Sequence, residues 1–413
     1  MFLTVCVIAY NEEKTLPLIL ADISGQDYEH SSIEIVLVDS ASTDSTKKIM
    51  QEFAACNKDF AAVKVIDNPK RTLPCGWNEA LRVYSGEAIL KVDAHARIPK
   101  DFVTKNVNAL ERGEDIVGGE RPNVIDDDTP WNRTLLMAES SMFGSSIAPY
   151  RRNPGPAYVK SMFHAAYRRR VFDKIGGFNE KLGRTEDNEI HYRMRKAGFR
   201  LCFDPDIISY QHIRSSLPKM LKQKYSNGYW IALTTGVCPE CLSLYHYVPF
   251  AFVMAIIVLE IARTLTQCIE PLSAAAMGVT VITAIMWGAY WLLAVAMAVL
   301  AVVTAKPEQR SLPDILLPVL FFLLHVSYGE ASYENVMNIG EGVRCEVLDD
   351  ALKQLSVRER YVIFAQVVDM RGFAEIGTKL GLGYQGAAAV YYRAIRKIKK
   401  FIVESEKGGE VSR

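Results

Sequence analysis

Glu34-Ile35-Val36-Leu37-Val38-Asp39-Ser40-Ala41-Ser42-Thr43-Asp44-Ser45-Thr46 is an apolar run that stops at an aspartate. It then passes through small polar residues into a helical pattern reaching Phe53. A short, continuous apolar run bounded by turn chemistry predicts a strand buried on both faces. The same unit recurs along the first hundred residues. Thr4-Val5-Cys6-Val7-Ile8-Ala9 ends in Tyr10-Asn11-Glu12-Glu13 and a helical pattern through Ile23. Val63-Lys64-Val65-Ile66 leads through Asn68-Pro69 to a helical pattern around residues 78–85, and Ala88-Ile89-Leu90-Lys91-Val92 ends in Asp93-Ala94-His95. Strands alternating with helices predict an α/β fold whose mostly parallel sheet is covered on both faces. Ligands of such sheets collect at the carboxyl ends of the strands. Asn11-Glu12, Asp39 and Asp93 each follow a strand directly, which points to a nucleotide site.

No glycine-rich phosphate loop of the GxGxxG or GxxxxGK type follows the first strand, which argues against dehydrogenase and P-loop chemistry. Acidic strand ends repel a diphosphate unless a divalent cation intervenes. Asp93-Ala94-His95 offers a hard oxygen and an imidazole at spacing two, compatible with Mn2+ or Mg2+, although the tripeptide also reads as a plain turn. Further on, Ile116-Val117-Gly118-Gly119 reads as a strand, residues 144–156 as a flexible segment, and 199–203 and 207–210 as strands before His212. Arg184-Thr185-Glu186-Asp187-Asn188-Glu189, reached through Gly176-Gly177, opens an amphipathic helix over 190–198. Carboxylates at a helix start are held and favoured electrostatically. The pair is therefore either an acidic cap or a general base within reach of a proton.

The 413 residues predict two or three units. A net charge of +1 gives no signature of a nucleic-acid binder, and eight scattered cysteines with a strand-like start imply a reducing, cytoplasmic setting for the first domain. Cys238-Pro239-Glu240-Cys241 is a single CxxC, read as two incidental thiols. Residues 247–259, 272–305 and 314–328 are apolar enough for three membrane helices, or four if the long run splits near Gly288. Lys306 and Arg310 favour an inside loop, hence three crossings and an outside tail.

Taken together, Val7-Ile8-Ala9-Tyr10-Asn11-Glu12, Val38 to Thr46, Asn78 to Gly86, Val92-Asp93-Ala94-His95, and Gly176-Gly177-Phe178-Asn179-Glu180 with Thr185 to Glu189 resemble a family-2 glycosyltransferase of the GT-A fold. The resemblance covers about residues 2–235 and is most similar to succinoglycan-type (ExoA-like) membrane glucosyltransferases. It implies three segments: a GT-A catalytic domain over 1–235, a transmembrane region over 236–335 and a helical tail over 345–413. It implies a UDP-sugar donor held by Ala9, Tyr10, Glu12, Asp39, Asn78 and Asp93, and Mn2+ or Mg2+ held by Asp93, His95 and His212. It also implies Asp187 as the base of an inverting transfer, with Glu186 beside it. The implied acceptor is polyprenyl-diphosphate-linked and membrane-borne, and the implied place is the cytoplasmic face of an inner membrane, with multiple passes. The Gln-x-x-Arg-Trp motif of processive synthases is missing after Gln223, which implies a single sugar addition.

The tail carries a second resemblance, to region 4 of sigma factors. It rests on Ala351-Leu352, Leu355, Arg358-Glu359-Arg360, Gly372 to Gly377, Leu380-Gly381 and Arg393 to Ile398. These residues predict a helix-turn-helix layout. Gly386-Ala387-Ala388-Ala389 stands where a recognition helix would begin, and such side chains read few bases. The tail is therefore expected to mediate homo-oligomerisation or docking in preference to binding DNA.

Overall fold

The computed structural model describes residues 1–145, 155–268, 273–338, 352, 354–367 and 371–409. The segment expected to be flexible, 144–156, falls almost wholly outside these residues, as does the start of the tail at 345–351. The four apolar runs are strands β1 (Leu3–Ala9), β2 (Ile33–Asp39), β3 (Ala62–Asp67) and β4 (Ala88–Asp93). They pair in parallel as β3-β2-β1-β4. Next come the short β5 (Ala96–Arg97), β6 (Ile116–Glu120), β7 (Asn123–Val124), β8 (Ala157–Val159), β9 (Ala165–Arg168), β10 (Leu201–Ile208) and β11 (Tyr210–His212). The main sheet runs β3-β2-β1-β4-β9-β6-β10-β8, while β5-β11-β7 form a small second sheet. Strand β9 is antiparallel to both β4 and β6, so the sheet is mostly parallel and mixed at its second half.

Alternate residues of a strand face opposite sides. Leu3, Val5 and Val7 join Leu90 and Val92 under α1 (Leu16–Ser24) and α4 (Phe102–Glu111). Cys6 and Ile89 face the other way, under α3 (Leu73–Val83), α6 (Arg169–Ile175) and α7 (Glu186–Lys196). Both faces of β1, β2 and β4 are buried, which is why these strands read as largely apolar runs. On β4 this alternation turns Lys91 and Asp93 to the α7 side. The seven described cysteines are free thiols.

The expected catalytic and membrane segments fold as one compact unit, Met1–Met337, with the tail from Asn338 as a second. The joint is made by α5 (Pro130–Ser140), α8 (Leu217–Val237) and α11 (Leu317–Asn338). Leu135, Ala138 and Met220 share an apolar core with Leu317, Phe321 and Leu324. Helices α9 (Val248–Cys268) and α10 (Ser273–Thr304) complete the apolar region. Among the described residues, three helices are long and apolar enough to cross a membrane. Helix α10 passes unbroken through Gly288, so the long run does not split. At roughly 1.5 Å per residue it is well beyond the ~30 Å of a hydrocarbon core.

The apolar stretch of α11 is 33% buried, against 6% and 11% for those of α9 and α10. His325 Nε2 donates to the Phe143 carbonyl at 2.5 Å, and Ser332 Oγ donates to the Gly228 carbonyl of α8 at 3.1 Å. A side chain at Gly228 would collide with the Tyr328 carbonyl, so glycine permits the close approach of α8 and α11.

The tail comprises α12 (Val357–Val367), α13 (Phe373–Lys379) and α14 (Tyr384–Gly409), with Gly381 at φ +65° in the turn before α14. Ala387, at the start of α14, is buried against Val362, Ala365 and Ile376.

Candidate active site

Helix α7 starts at Glu186, earlier than the residue-190 start read from the sequence, so the carboxylate pair lies inside its first turn. The preceding Thr185 has φ 67°, a left-handed conformation that strains a β-branched residue. Its surroundings hold it there. The Thr185 hydroxyl bonds Thr234 of α8, Arg184 Nη1 donates to Ser226 Oγ of α8 at 3.2 Å, and Gly183 lies flat against the Trp230 indole. Helix α8 thus fixes the loop that aims the carboxylates.

Strand β4 supplies the counter-charge. Lys91 Nζ lies 2.8 and 2.9 Å from the two carboxylate oxygens of Asp187 and 3.6 Å from Glu186 Oε1. The lysine side chain is only 3% exposed, and lysine is almost never buried so deeply without partners. Burial disfavours its charge, yet Asp187, Glu186 and Asp93 together raise its pKa above the ordinary value. Burial pushes the Glu186 carboxyl up to about 7, with the neighbouring Asp187 charge adding to the effect. Burial raises Asp187 as well, while Lys91 opposes the rise. Two carboxylates around one ammonium make a basic pair biased toward Asp187, the member with direct ammonium contact and an edge open to the cavity. Beneath them, His191 Nε2 meets the Tyr167 hydroxyl at 2.8 Å and its Nδ1 meets Ser161 Oγ at 3.1 Å. Burial drives His191 down to about 3, so it is a neutral support.

Asp93, at the end of β4, lies 3.1 Å from Arg121 Nη2 and 3.1 Å from His164 Nε2. His164 Nδ1 is in turn 2.8 Å from Ser209 Oγ. Burial alone would raise Asp93, but His164, Arg121 and Lys91 hold it well below the usual carboxylate range. The β1 and β2 ends are tied to each other. Asn11 N donates to Ser42 Oγ at 3.1 Å, Thr43 N to Asn11 Oδ1 at 2.8 Å, and Glu12 N to Thr46 Oγ1 at 2.7 Å. Glu12 then faces His95, Oε1 to Nδ1 3.3 Å.

A cavity of about 530 Å³ joins these groups. Glu12, Asp93, His95, Glu186 and Asp187 line one part, and Trp230, Pro249, Leu324 and Tyr328 line the end toward the apolar helices. Of the expected donor contacts, Glu12 and Asp93 therefore reach the cavity, while Ala9, Tyr10, Asp39 and Asn78 do not line it. Asp39 is buried and accepts from Ser42 N at 3.2 Å, shaping the turn. Asn78 bonds the Phe178 backbone in both directions and Glu180, which makes it a brace for the Gly177 turn.

The expected metal set does not assemble as a three-ligand centre. Asp93 is engaged by Arg121 and His164, His95 by Glu12, and His212 Nδ1 by Asp126 Oδ1 at 2.5 Å, on the wall of an adjoining cavity of about 250 Å³. Among the described residues, no three His, Cys, Asp or Glu side chains converge as a metal requires. The donor set fits a cation bridged by substrate phosphates, which needs only one or two protein carboxylates.

Sequence reasoning missed Lys91, Arg121 and His164. Lys91 had a signal, since it interrupts an otherwise apolar buried strand. Arg121 and His164 had none, because their roles arise from where the chain returns to the sheet.

Residues 4–176 match the family model described as Glycosyl transferase family 2. A Methanococcus voltae dolichyl N-acetyl-alpha-D-glucosaminyl phosphate 3-beta-D-2,3-diacetamido-2,3-dideoxy-beta-D-glucuronosyltransferase is 24% identical over 237 residues, 55% of this chain and 72% of the relative. Succinoglycan biosynthesis protein ExoA of Rhizobium meliloti (strain 1021) is 26% identical over 47% of this chain and 58% of its own length. An undecaprenyl-phosphate 4-deoxy-4-formamido-L-arabinose transferase of Proteus mirabilis (strain HI4320) is 28% identical over 42% of this chain, which spans half the length of that relative. Among solved structures, a Pyrobaculum calidifontis mannosyltransferase in complex with GDP-Man and Mn2+ is similar at 20% identity and TM-score 0.49, covering 80% of this chain and 87% of that one.

Proposed function

We propose, from a chain that carries a family-2 glycosyltransferase domain, that it is an inverting transferase moving a sugar from a UDP-sugar to a polyprenyl-phosphate-linked acceptor. The observation that carries this reading is Asp187. It is held by Lys91 at 2.8 Å on the wall of a cavity that runs from the strand-end carboxylates to the apolar helices. The relatives named for polyprenyl or dolichyl phosphate substrates support the acceptor class, and the relative named for succinoglycan supports exopolysaccharide synthesis.

In the reaction, Asp187 takes the proton of the acceptor hydroxyl as that oxygen attacks the anomeric carbon and the bond to the nucleoside diphosphate breaks. One displacement inverts the centre. Lys91 keeps the Asp187 carboxylate oriented, and Glu186 shares the site's proton. Glu12 and Asp93 border the donor end. Asp93 would hold Mn2+ or Mg2+, which would supply charge neutralisation for the departing diphosphate. The apolar end of the cavity admits the acceptor lipid and shuts water away from the reacting atoms.

The packing supports a membrane arrangement of two crossings. Helices α9 and α10 form a crossing hairpin in an inner membrane, with the catalytic domain at the cytoplasmic face. Helix α11 touches the catalytic domain from Leu317 to Ser332 and so lies along it without crossing, which returns the chain to the catalytic side. The tail serves docking or self-association, in keeping with the burial of Ala387 at the start of α14.

The test is UDP release by the full chain against a panel of UDP-sugars, with polyprenyl-linked saccharide as acceptor. Asp187→Asn should lose turnover by at least about a hundredfold while still binding UDP, the size expected for removing a general base. Near-normal turnover in that variant would overturn the assignment.

A further inference from the structure

The cavity carries five cationic side chains, Lys91, Arg121, Arg184, Arg214 and Lys224. Three are matched within it. Lys91 faces Asp187 and Glu186, Arg121 faces Asp93, and Lys224 meets Glu139 at 2.7 Å. The other two are not. Arg184 donates to the neutral hydroxyl of Ser226 and forms no ion pair with a described residue. Arg214, just beyond β11, forms neither a hydrogen bond nor an ion pair with a described residue. Arg214 is exposed and also lines the adjoining cavity beside Glu12 and His95.

We propose that Arg184 and Arg214 form a phosphate clamp at the junction between the donor end and the lipid end of the cavity. The guanidinium fork matches phosphate oxygens in pairs, which makes arginine suited to this task. Arg184 is separated from the reactive pair only by Thr185, and Ser226 of α8 anchors its Nη1, so the fork is aimed before a ligand arrives. The two cations also oppose each other: burial and then the Arg214 charge lower the Arg184 pKa, with Glu186 only partly compensating. An anion between them relieves that repulsion, and the matched cations elsewhere in the cavity offer no comparable place. The clamp rests on the transferase reading for its ligand, a phosphate ester borne either by the nucleotide donor or by the acceptor lipid.

Full-length protein in lipid nanodiscs would be titrated with UDP, uridine, undecaprenyl phosphate and undecaprenol. The comparison is wild type with Arg184→Gln, Arg214→Gln, the double variant and the corresponding lysine variants. Loss of a charge-assisted contact predicts about a ten- to hundredfold weaker affinity for one phosphate ligand, with its phosphate-free counterpart unchanged. Weakening on UDP assigns the clamp to the donor, and weakening on undecaprenyl phosphate assigns it to the acceptor. The lysine pair should recover part of the affinity, since it keeps the charge and loses the fork. Affinities for both phosphates within twofold of wild type, in a double variant with an unchanged melting temperature, would sink the clamp. If the double glutamine variant does not fold, the single variants carry the same reading. A wild type that binds UDP through these arginines but releases none from any UDP-sugar would refute the transferase reading and leave the clamp standing.

Discussion

Lys91→Met is the perturbation that separates a catalytic carboxylate pair from an acidic helix cap. In the native chain one ammonium lies 2.8 Å from Asp187 and 3.6 Å from Glu186, and its side chain is 3% exposed. Two unit charges at such a separation interact by about 6 kcal/mol at an effective dielectric of 20. Breaking a buried pair by removing one partner costs about 3–5 kcal/mol after relaxation. At about 1.4 kcal/mol per pKa unit, that is roughly two to four units of added proton affinity on the remaining carboxylates. The pair already holds a proton up to about pH 7 through Glu186. Without the lysine, Asp187 protonates too, and the acidic limb of the pH–rate profile should move to higher pH by at least about two units. At pH 7.5, kcat should fall roughly twentyfold or more, with a smaller change in donor KM. Lys91→Arg should keep much of the activity. Adding Glu186→Gln to Lys91→Met should recover part of it, because one buried carboxylate no longer competes with another. The measurement is kcat and kcat/KM for UDP release from pH 5 to 9. A Lys91→Met enzyme whose acidic limb coincides with that of wild type would refute the reasoning.

Other outcomes follow from the same geometry. Because the Glu186 carboxyl is raised in the fold, its stabilising contribution is present below about pH 4.5 and is lost as pH rises toward 7. Glu186→Gln should therefore gain about 3 kcal/mol relative to wild type across that window, seen as a pH-dependent difference in thermal unfolding. Gly183→Ala forces a methyl group into the Trp230 indole and should lower kcat more than donor KM, while Trp230→Ala in that background should relieve it; equal activity of Gly183→Ala and wild type would dismiss the α8 brace. Cysteine labelling in intact membranes should report residues near 306 and near 338 on the catalytic side and the α9–α10 connection on the other; a position near 338 labelled only from the opposite side would show that α11 crosses.

The alternating β-α pattern, the parallel half of the sheet and the carboxylates at strand ends were readable because each is set by neighbours in the chain. A strand buried on both faces has no polar register to hide, so its apolar run stands out, and the turn that follows must display what the ligand meets. Period two even places Lys91 and Asp93 on one face of β4. The long apolar helices were readable for the same reason, through length and composition. The roles of Asn78, Asp39 and His212 were less legible. Each is polar and near a strand end or turn, but the partner that engages it comes from elsewhere: Phe178, the Ser42 turn and Asp126.

The sequence by itself determined that the first hundred residues alternate strand and helix into the parallel half of the sheet and that Glu186-Asp187 open a helix. It also determined that three long apolar runs follow. Only the tertiary structure decided that this helix lies over β4, so that a lysine ninety-six positions upstream becomes the counter-ion of Asp187. It alone decided that α11 packs on α5 and α8. The physical reason is common to both. Hydrophobic periodicity is a local property of the chain, whereas the pairing of a buried charge and the choice between lipid and protein as neighbours depend on which distant surfaces meet.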